Sequence, residues 1–335
     1  MSNDLTPKTK QFDEIISIID NARTRALKAV NAELIQMYWE IGAYVSKQAK
    51  NGGWGKSIVA DFSVFLQTRY PTMKGFSAQN IWRMKQFYET YSGNEKLSPL
   101  VREIPWTNNL LIMTGCKTDE AREFYLRLCI TNRYTKRELD RQISSMLYER
   151  TMLSSVKNQE LIAGNGGLAA LRDSYVFEFL DLEDPYKEKD LRRQIVSHLK
   201  DFILEFGQDF TFVGEEYRVQ VGNTDFFIDL LFYNRALTCL VAIELKIDVF
   251  RPEHMGQLNF YLEALDRDVR KPNENPSVGL ILCTGKDDTV VEYALSRTMS
   301  PTMVADYTLH LPDKKLLQNK LRELTELALE IDAGG

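Results

Sequence analysis

The sequence predicts an α+β protein, an all-α N-terminal half joined to a C-terminal α/β half. Three observations carry that prediction. Up to about residue 150, apolar residues recur at helical spacing, in runs closed by Gly or Pro. After residue 209 the pattern changes to short β-branched and aromatic runs in close succession. Charge divides along the same line: residues 1–150 carry 22 Lys+Arg against 16 Asp+Glu, and the remainder 20 against 31. All four tryptophans fall in the basic half, which is the better candidate to meet a polyanion.

The elements follow in order. Residues 9–50 read as one long helix through Ile15, Ile16, Ile19, Ala22, Ala26, Ala29, Val30 and Leu34, ended by Gly52-Gly53. "GKSIVADFSVFLQTRYP" makes a second helix closed by Pro71, and "FSAQNIWRMKQFYETY" a third with Ser77 as N-cap. Helices also fit 117–130 and 135–150, the latter opened by Thr135 with Glu138 at the capping-box position. Residues 151–175, with the Gly164–Gly167 stretch, read as a connector between domains 1–150 and 176–335. A helix over 187–206 precedes three strands, "FTFVGEEYRVQVG", "DFFIDLLFY" and "LTCLVAIELKI". A helix over 252–266, the strand "PSVGLILCTG" and an amphipathic tail from 313 complete a mixed sheet with helices packed on it.

Several function classes drop out. No apolar run approaches the roughly 18 residues that span a bilayer, and the N-terminus has no apolar signal core, so a cytoplasmic protein is expected. Cys116, Cys129, Cys239 and Cys283 are scattered, as are the three histidines, which argues against disulfides, a Cys/His zinc site or a Ser-His-Asp triad. "GGWGK" lacks the spacing of a phosphate-binding loop.

The chemistry gathers around "VAIELKIDVF". In a strand, Glu244 and Lys246 share one face, and an even-length hairpin loop brings Asp229 to the same side. Two carboxylates held together repel unless a proton or cation lies between them. Hard oxygen ligands on a rigid sheet suit Mg²⁺ or Mn²⁺, and a neighbouring lysine can position a water or stabilise a phosphoryl charge. The same spacing also fits a surface ion triad, because Glu-x-Lys is common.

The run Asp229-x14-Glu244-x-Lys246 within this element order resembles the PD-(D/E)xK nuclease superfamily, although Ile228 stands where the motif's proline would be. The segment from "TFVGEEYRVQVGNTDFFIDLLFY" to "GQLNFYLEALD" is similar to the nuclease domain of the bacterial YhcG family. "NAELIQMYWEIGAYV", "GFSAQNIWRMKQFY" and "IPWTNNLLIM" are similar to that family's helical N-terminal domain. The resemblance implies a restriction-endonuclease-like αβββαβ domain in which Asp229, Glu244 and the Leu245 carbonyl bind Mg²⁺ or Mn²⁺. It also implies that Lys246 is the catalytic lysine and that Gln257, in a QxxxY pattern with Tyr261, acts beside it. Superfamily members often add an acid from the first helix, for which Glu205 is the candidate, ahead of Glu215 and Glu216; His254 is a weaker candidate for a phosphate contact.

In the basic half, helix 55–69, a turn and helix 77–91 resemble a helix-turn-helix. The second helix offers Gln79, Asn80, Arg83, Lys85 and Gln86 to DNA, with Trp82, Met84 and Phe87 turned to the core. A plain helical bundle with a wet polar face has the same pattern. The expectation is a metal-dependent DNA endonuclease serving DNA processing, recombination or defence. The alternatives are an inactive nucleic-acid-binding or regulatory protein on the same fold, and an interaction scaffold whose helical tail forms a homodimer.

Overall fold

The computed structural model describes residues 7–51, 55–153, 171–207, 209–296, 298 and 300–333. Gly52, Gly53, Trp54 and residues 154–170 of the expected connector, Gly164–Gly167 included, lie outside the described residues. Two units divide the chain, Met1–Ile143 and Ser144–Gly335.

In the first unit, α1 (Pro7–Lys50), α2 (Lys56–Arg69) and α3 (Ala78–Tyr91) pack together. The Ser77 side chain accepts from the Asn80 N–H at 3.3 Å and opens α3, which buries Ile81, Met84, Phe87 and Tyr91. A Cβ on Gly42 would lie 2.1 Å from the Met84 carbonyl oxygen, so only glycine lets α1 and α3 approach this closely. Ile15, Ile16, Ile19 and Val30, although at helical spacing, remain exposed. Short α4 (Leu97–Leu100), α5 (Trp106–Gly115), α6 (Asp119–Asn132) and α7 (Lys136–Ser144) follow. Thr135 and Glu138 form the expected reciprocal cap, at 2.6 and 3.4 Å. The helix expected over 135–150 is interrupted, because Met146 takes a left-handed φ of 55° before α8 (Leu147–Leu153).

The second unit is a six-stranded sheet ordered β1-β6-β5-β4-β3-β2. Its strands are β1 (Ser174–Val176), β2 (Phe210–Val221), β3 (Thr224–Asn234), β4 (Cys239–Leu245), β5 (Val278–Cys283) and β6 (Thr302–Thr308). β2, β3 and β4 are antiparallel; β4, β5, β6 and β1 run parallel. The expected helix over 187–206 is two helices, α9 (Glu188–Ser197) and α10 (Leu199–Phe206), separated at His198. β1, β6 and α12 (Asp288–Leu295) were not expected from sequence; α11 (Glu253–Asp268) and α13 (Lys314–Ala333) were. The tail helix α13 packs on α8 within this unit.

Both faces of the sheet are covered. Phe202 and Phe206 of α10, with Leu191 and Ile195 of α9, pack on Leu230, Phe232, Val241, Ile243 and Leu245. On the other face, Leu258, Leu262 and Leu265 of α11 pack on Leu231, Leu240, Ala242 and Ile281. Burial on both faces explains why β5 reads as an unbroken apolar run. Among the described residues no helix is long and apolar enough to cross a membrane.

Candidate active site

The β3–β4 ladder pairs Leu230 with Ile243 and Asn234 with Cys239, so Asp229 and Glu244 lie immediately beyond its last pair. There the strand alternation fails. Sequence period predicts Ile228 and Leu230 on one face, whereas Ile228 packs with Leu231 and Leu240, and Leu230 with Phe232 on the opposite face. Asp229 is the residue at which β3 changes sides. Its Oδ2 accepts from the Leu245 N–H at 3.0 Å, so the carboxylate spans the two strands where the ladder stops.

The other oxygen, Oδ1, accepts from Arg192 Nη1 at 2.8 Å, and Arg192 Nη2 donates to Glu216 Oε1 at 2.6 Å. The β2–β3 register pairs Glu215 with Leu230 and Tyr217 with Ile228, which leaves Glu216 opposite Asp229. Two carboxylates facing each other across a ladder repel, and the guanidinium fork between them offsets that. Glu216 has a left-handed φ of 42°, rare for a residue with a side chain. Thus α9 presents a cation and an acid on one face: Glu188 and Arg192 are one turn apart, and Glu188 Oε1 lies 3.5 Å from Lys246 Nζ.

Glu244 is only 2% exposed. Its Oε1 accepts from Lys246 Nζ at 3.0 Å, while Oε2 is buried without a hydrogen-bond partner. Burial, with Asp229 adding repulsion, pushes its carboxyl up to about 7 despite Lys246. Burial alone would lower the Lys246 ammonium, but Glu244, with Glu188 and Asp229 adding to it, more than offsets burial and the net shift is upward. Gln257 Nε2 donates to the Tyr261 hydroxyl at 2.8 Å, one turn along α11. The Tyr261 phenol is raised by burial and, in smaller part, by Glu244 and Asp229, which brings this helix face within electrostatic reach of the acids.

Glu205 requires a correction. It is fully buried on α10, on the core face opposite α11, where Val176 N–H donates to it at 2.9 Å and Arg150 and Arg172 approach at 3.2 and 3.6 Å. Its charge is balanced structurally, and it is not brought to Asp229 and Glu244. The acids brought there are Glu216 and Glu188. Glu188 was missed altogether, although the Glu188-x3-Arg192 spacing at the start of a helix was a readable signal. His254 Nδ1 accepts from the Arg251 N–H at 3.3 Å, a local helix-start contact.

On α3, Gln79, Arg83 and Gln86 are exposed and follow one another at helical spacing on one face. Lys85 pairs with Glu89 at 2.7 Å and lies over the Trp82 ring. Asn80 is otherwise engaged, contrary to expectation: it donates to the Gly75 carbonyl at 2.6 Å and accepts from Trp106 Nε1 at 3.0 Å, bracing the turn between α2 and α3.

A strand pair holding Asp229, Glu244 and Lys246, in this sheet order, defines a PD-(D/E)xK nuclease domain of the restriction-endonuclease-like class. Residues 168–322 match the family model described as the YhcG PDDEXK nuclease domain, and residues 14–150 match the DUF1016 N-terminal domain. The chain is 33% identical to "Putative nuclease YhcG" of Escherichia coli (strain K12), with 92% of each chain covered. This protein belongs to the YhcG family. Among solved structures, a repair endonuclease from Pyrococcus abyssi overlaps 39% of this chain and 50% of its own, at 13% identity and a TM-score of 0.26. EndoMS in its apo form overlaps 40% and 49%, at 17% identity and 0.25.

Proposed function

We propose that this protein is a divalent-metal-dependent endonuclease that hydrolyses DNA phosphodiester bonds. One observation carries the reading: the buried Glu244 carboxylate has one oxygen on Lys246 and one without a partner, beside a second carboxylate already fixed in place. A buried, unpartnered carboxylate oxygen is costly and calls for a cation. Charge bookkeeping agrees. Asp229, Glu244, Glu188 and Glu216 carry four negative charges when ionised, against Arg192 and Lys246, which leaves the charge of one divalent ion to be supplied.

Among the described residues no three His, Cys, Asp or Glu side chains gather into a metal cage. The donors on offer are therefore Asp229, Glu244 and the Leu245 carbonyl, a sparse oxygen set that fits Mg²⁺ or Mn²⁺, which keep several waters. Such an ion would lower the pKa of an attacking water and draw charge from the phosphate. The chain's own residues supply orientation and charge. Arg192 and the Leu245 N–H hold both oxygens of Asp229, so this ligand needs no reorientation. Lys246, its ammonium favoured by Glu244, stays protonated and suits stabilisation of charge on the phosphate better than removal of a proton. Gln257 is tied to Tyr261, whose phenol feels the Glu244 and Asp229 charges.

The exposed Gln79, Arg83 and Gln86 face, with Lys85 at its edge, suits contacts to phosphates and base edges. The context proposed for this activity is DNA processing, recombination or defence. The test is a cleavage screen over linear, branched and single-stranded DNA with Mg²⁺ or Mn²⁺. Cleavage by the wild type that disappears in Glu244→Gln is expected; equal cleavage by both proteins would overturn the reading.

A further inference from the structure

Beside the candidate active site lies a cleft of about 410 Å³ that none of the roles above uses. It sits at the carboxyl ends of the parallel strands. Ile247 follows β4, Thr284 follows β5, Tyr307 and Thr308 end β6 and Leu309 follows it, the edge at which open α/β sheets take their ligands. Pro185 and Tyr186 close the remaining side. The cleft is linked to the acids through its lining: Ile247 is the residue after Lys246, and Tyr186 stands two residues before Glu188, whose carboxylate also bears on Tyr307.

The lining selects the kind of group that enters. Pro185, Ile247 and Leu309 give apolar walls, and the hydroxyls of Tyr186 and Tyr307 meet at 3.2 Å. Thr284 and His310 are exposed side chains at its polar margin. Among the described lining residues there is no lysine or arginine, and there is one carboxylate, Asp184. A phosphate would find no lysine or arginine there and would meet the Asp184 carboxylate. Of the three parts of a nucleotide, only the base is uncharged, planar and apolar-faced with polar edges, and the volume lies within the roughly 300–1,000 Å³ typical of ligand pockets.

We propose that this cleft receives one unpaired nucleobase next to the phosphate at Asp229, Glu244 and Lys246. The proposal rests on the nuclease reading for its substrate class and adds what that substrate must offer: a base free to leave its stack. A fully paired duplex would first have to spend the unstacking energy of that base, so forks, flaps and loops become preferred substrates.

The test is a binding comparison with the full-length protein in EDTA, where no cleavage occurs. Forked duplexes carry either a normal base or an abasic residue, scanned over the unpaired positions nearest the junction. The wild type should bind the intact fork about tenfold more tightly than the abasic one at one position, the scale of a single stacked base. Thr284→Trp and His310→Trp, each at an exposed residue whose enlarged ring fills the cleft, should lose that discrimination. This outcome supports the cleft whether or not the fork is cut once Mg²⁺ is added, so the nuclease reading stands or falls separately. No discrimination at any position, or discrimination kept in both filled variants, overturns the proposal.

Discussion

Two buried glutamates in this fold illustrate what burial demands of a charge. Glu205 is fully enclosed yet has two arginines and a backbone N–H on its oxygens. Glu244 has one lysine, a second acid for a neighbour and an oxygen with no partner. The first arrangement is complete as it stands, and the second leaves one oxygen for the cation proposed above. Sequence showed the second and misread the first. Glu244 and Lys246 are two apart on a strand, so their shared face follows from the period alone, whereas Arg150 is 55 positions from Glu205 and leaves no local trace. The Glu244 carboxyl yields a pH prediction for the metal-free protein. Its folded value, about 7, lies above its ordinary 4.5, so the folded state retains a proton that the unfolded chain releases. Stability contributed by this group is therefore full below about 4.5 and is lost as pH rises towards 7. Glu244→Gln cannot ionise and should gain on the wild type by up to about 1.4 kcal/mol per pH unit across that window. Denaturant titrations in EDTA at pH 5 and 7.5 measure the difference; a gap that does not widen with pH would contradict the burial argument.

At the scale of elements, the hairpin was legible and its defect was not. Alternation along 226–233 and 237–246 gives the pairing parity, and the observed Phe232–Val241 pair keeps the expected faces together. The change of side at Asp229 departs from strict alternation, and a strict period of two cannot express it. The same limit applies at Met146 and His198, where helical periodicity continues through a break in the backbone. β6, "TMVADYT", was missed because its acid and threonines dilute the apolar signal that exposed β5 so clearly. Close helix contact is a further property that periodicity does not reveal. Gly42→Ala would drive a Cβ against the Met84 carbonyl at 2.1 Å, a backbone atom that cannot turn aside. The substitution should cost on the order of 1–3 kcal/mol, measured by chemical denaturation, through separation of α1 from α3. Gly93→Ala, with nothing within 4 Å of its new methyl, is the control and should be near neutral. Equal stabilities would show that α1 and α3 have room to part.

Over the whole molecule, two units share the work proposed here, one presenting an exposed polar helix face and the other a charged strand pair. Composition shifts near residue 150, because helices and buried parallel strands impose different periods and the two halves carry opposite net charge, whereas the units divide at Ile143 and Ser144. The roles within the sheet depend on partners that only folding brings together: Arg192 with Asp229 and Glu216, and Glu188 with Lys246. The central claim, that this protein cuts DNA with Lys246 assisting, is tested most directly by Lys246→Met. A lysine that acts on charge developing in the transition state contributes little to the ground state, so the variant should keep its affinity for DNA and for Mn²⁺. Its cleavage rate on the best wild-type substrate should fall by roughly a hundredfold or more. Measured side by side on that substrate, binding retained with cleavage lost is the predicted result, and equal cleavage rates for wild type and Lys246→Met would contradict it.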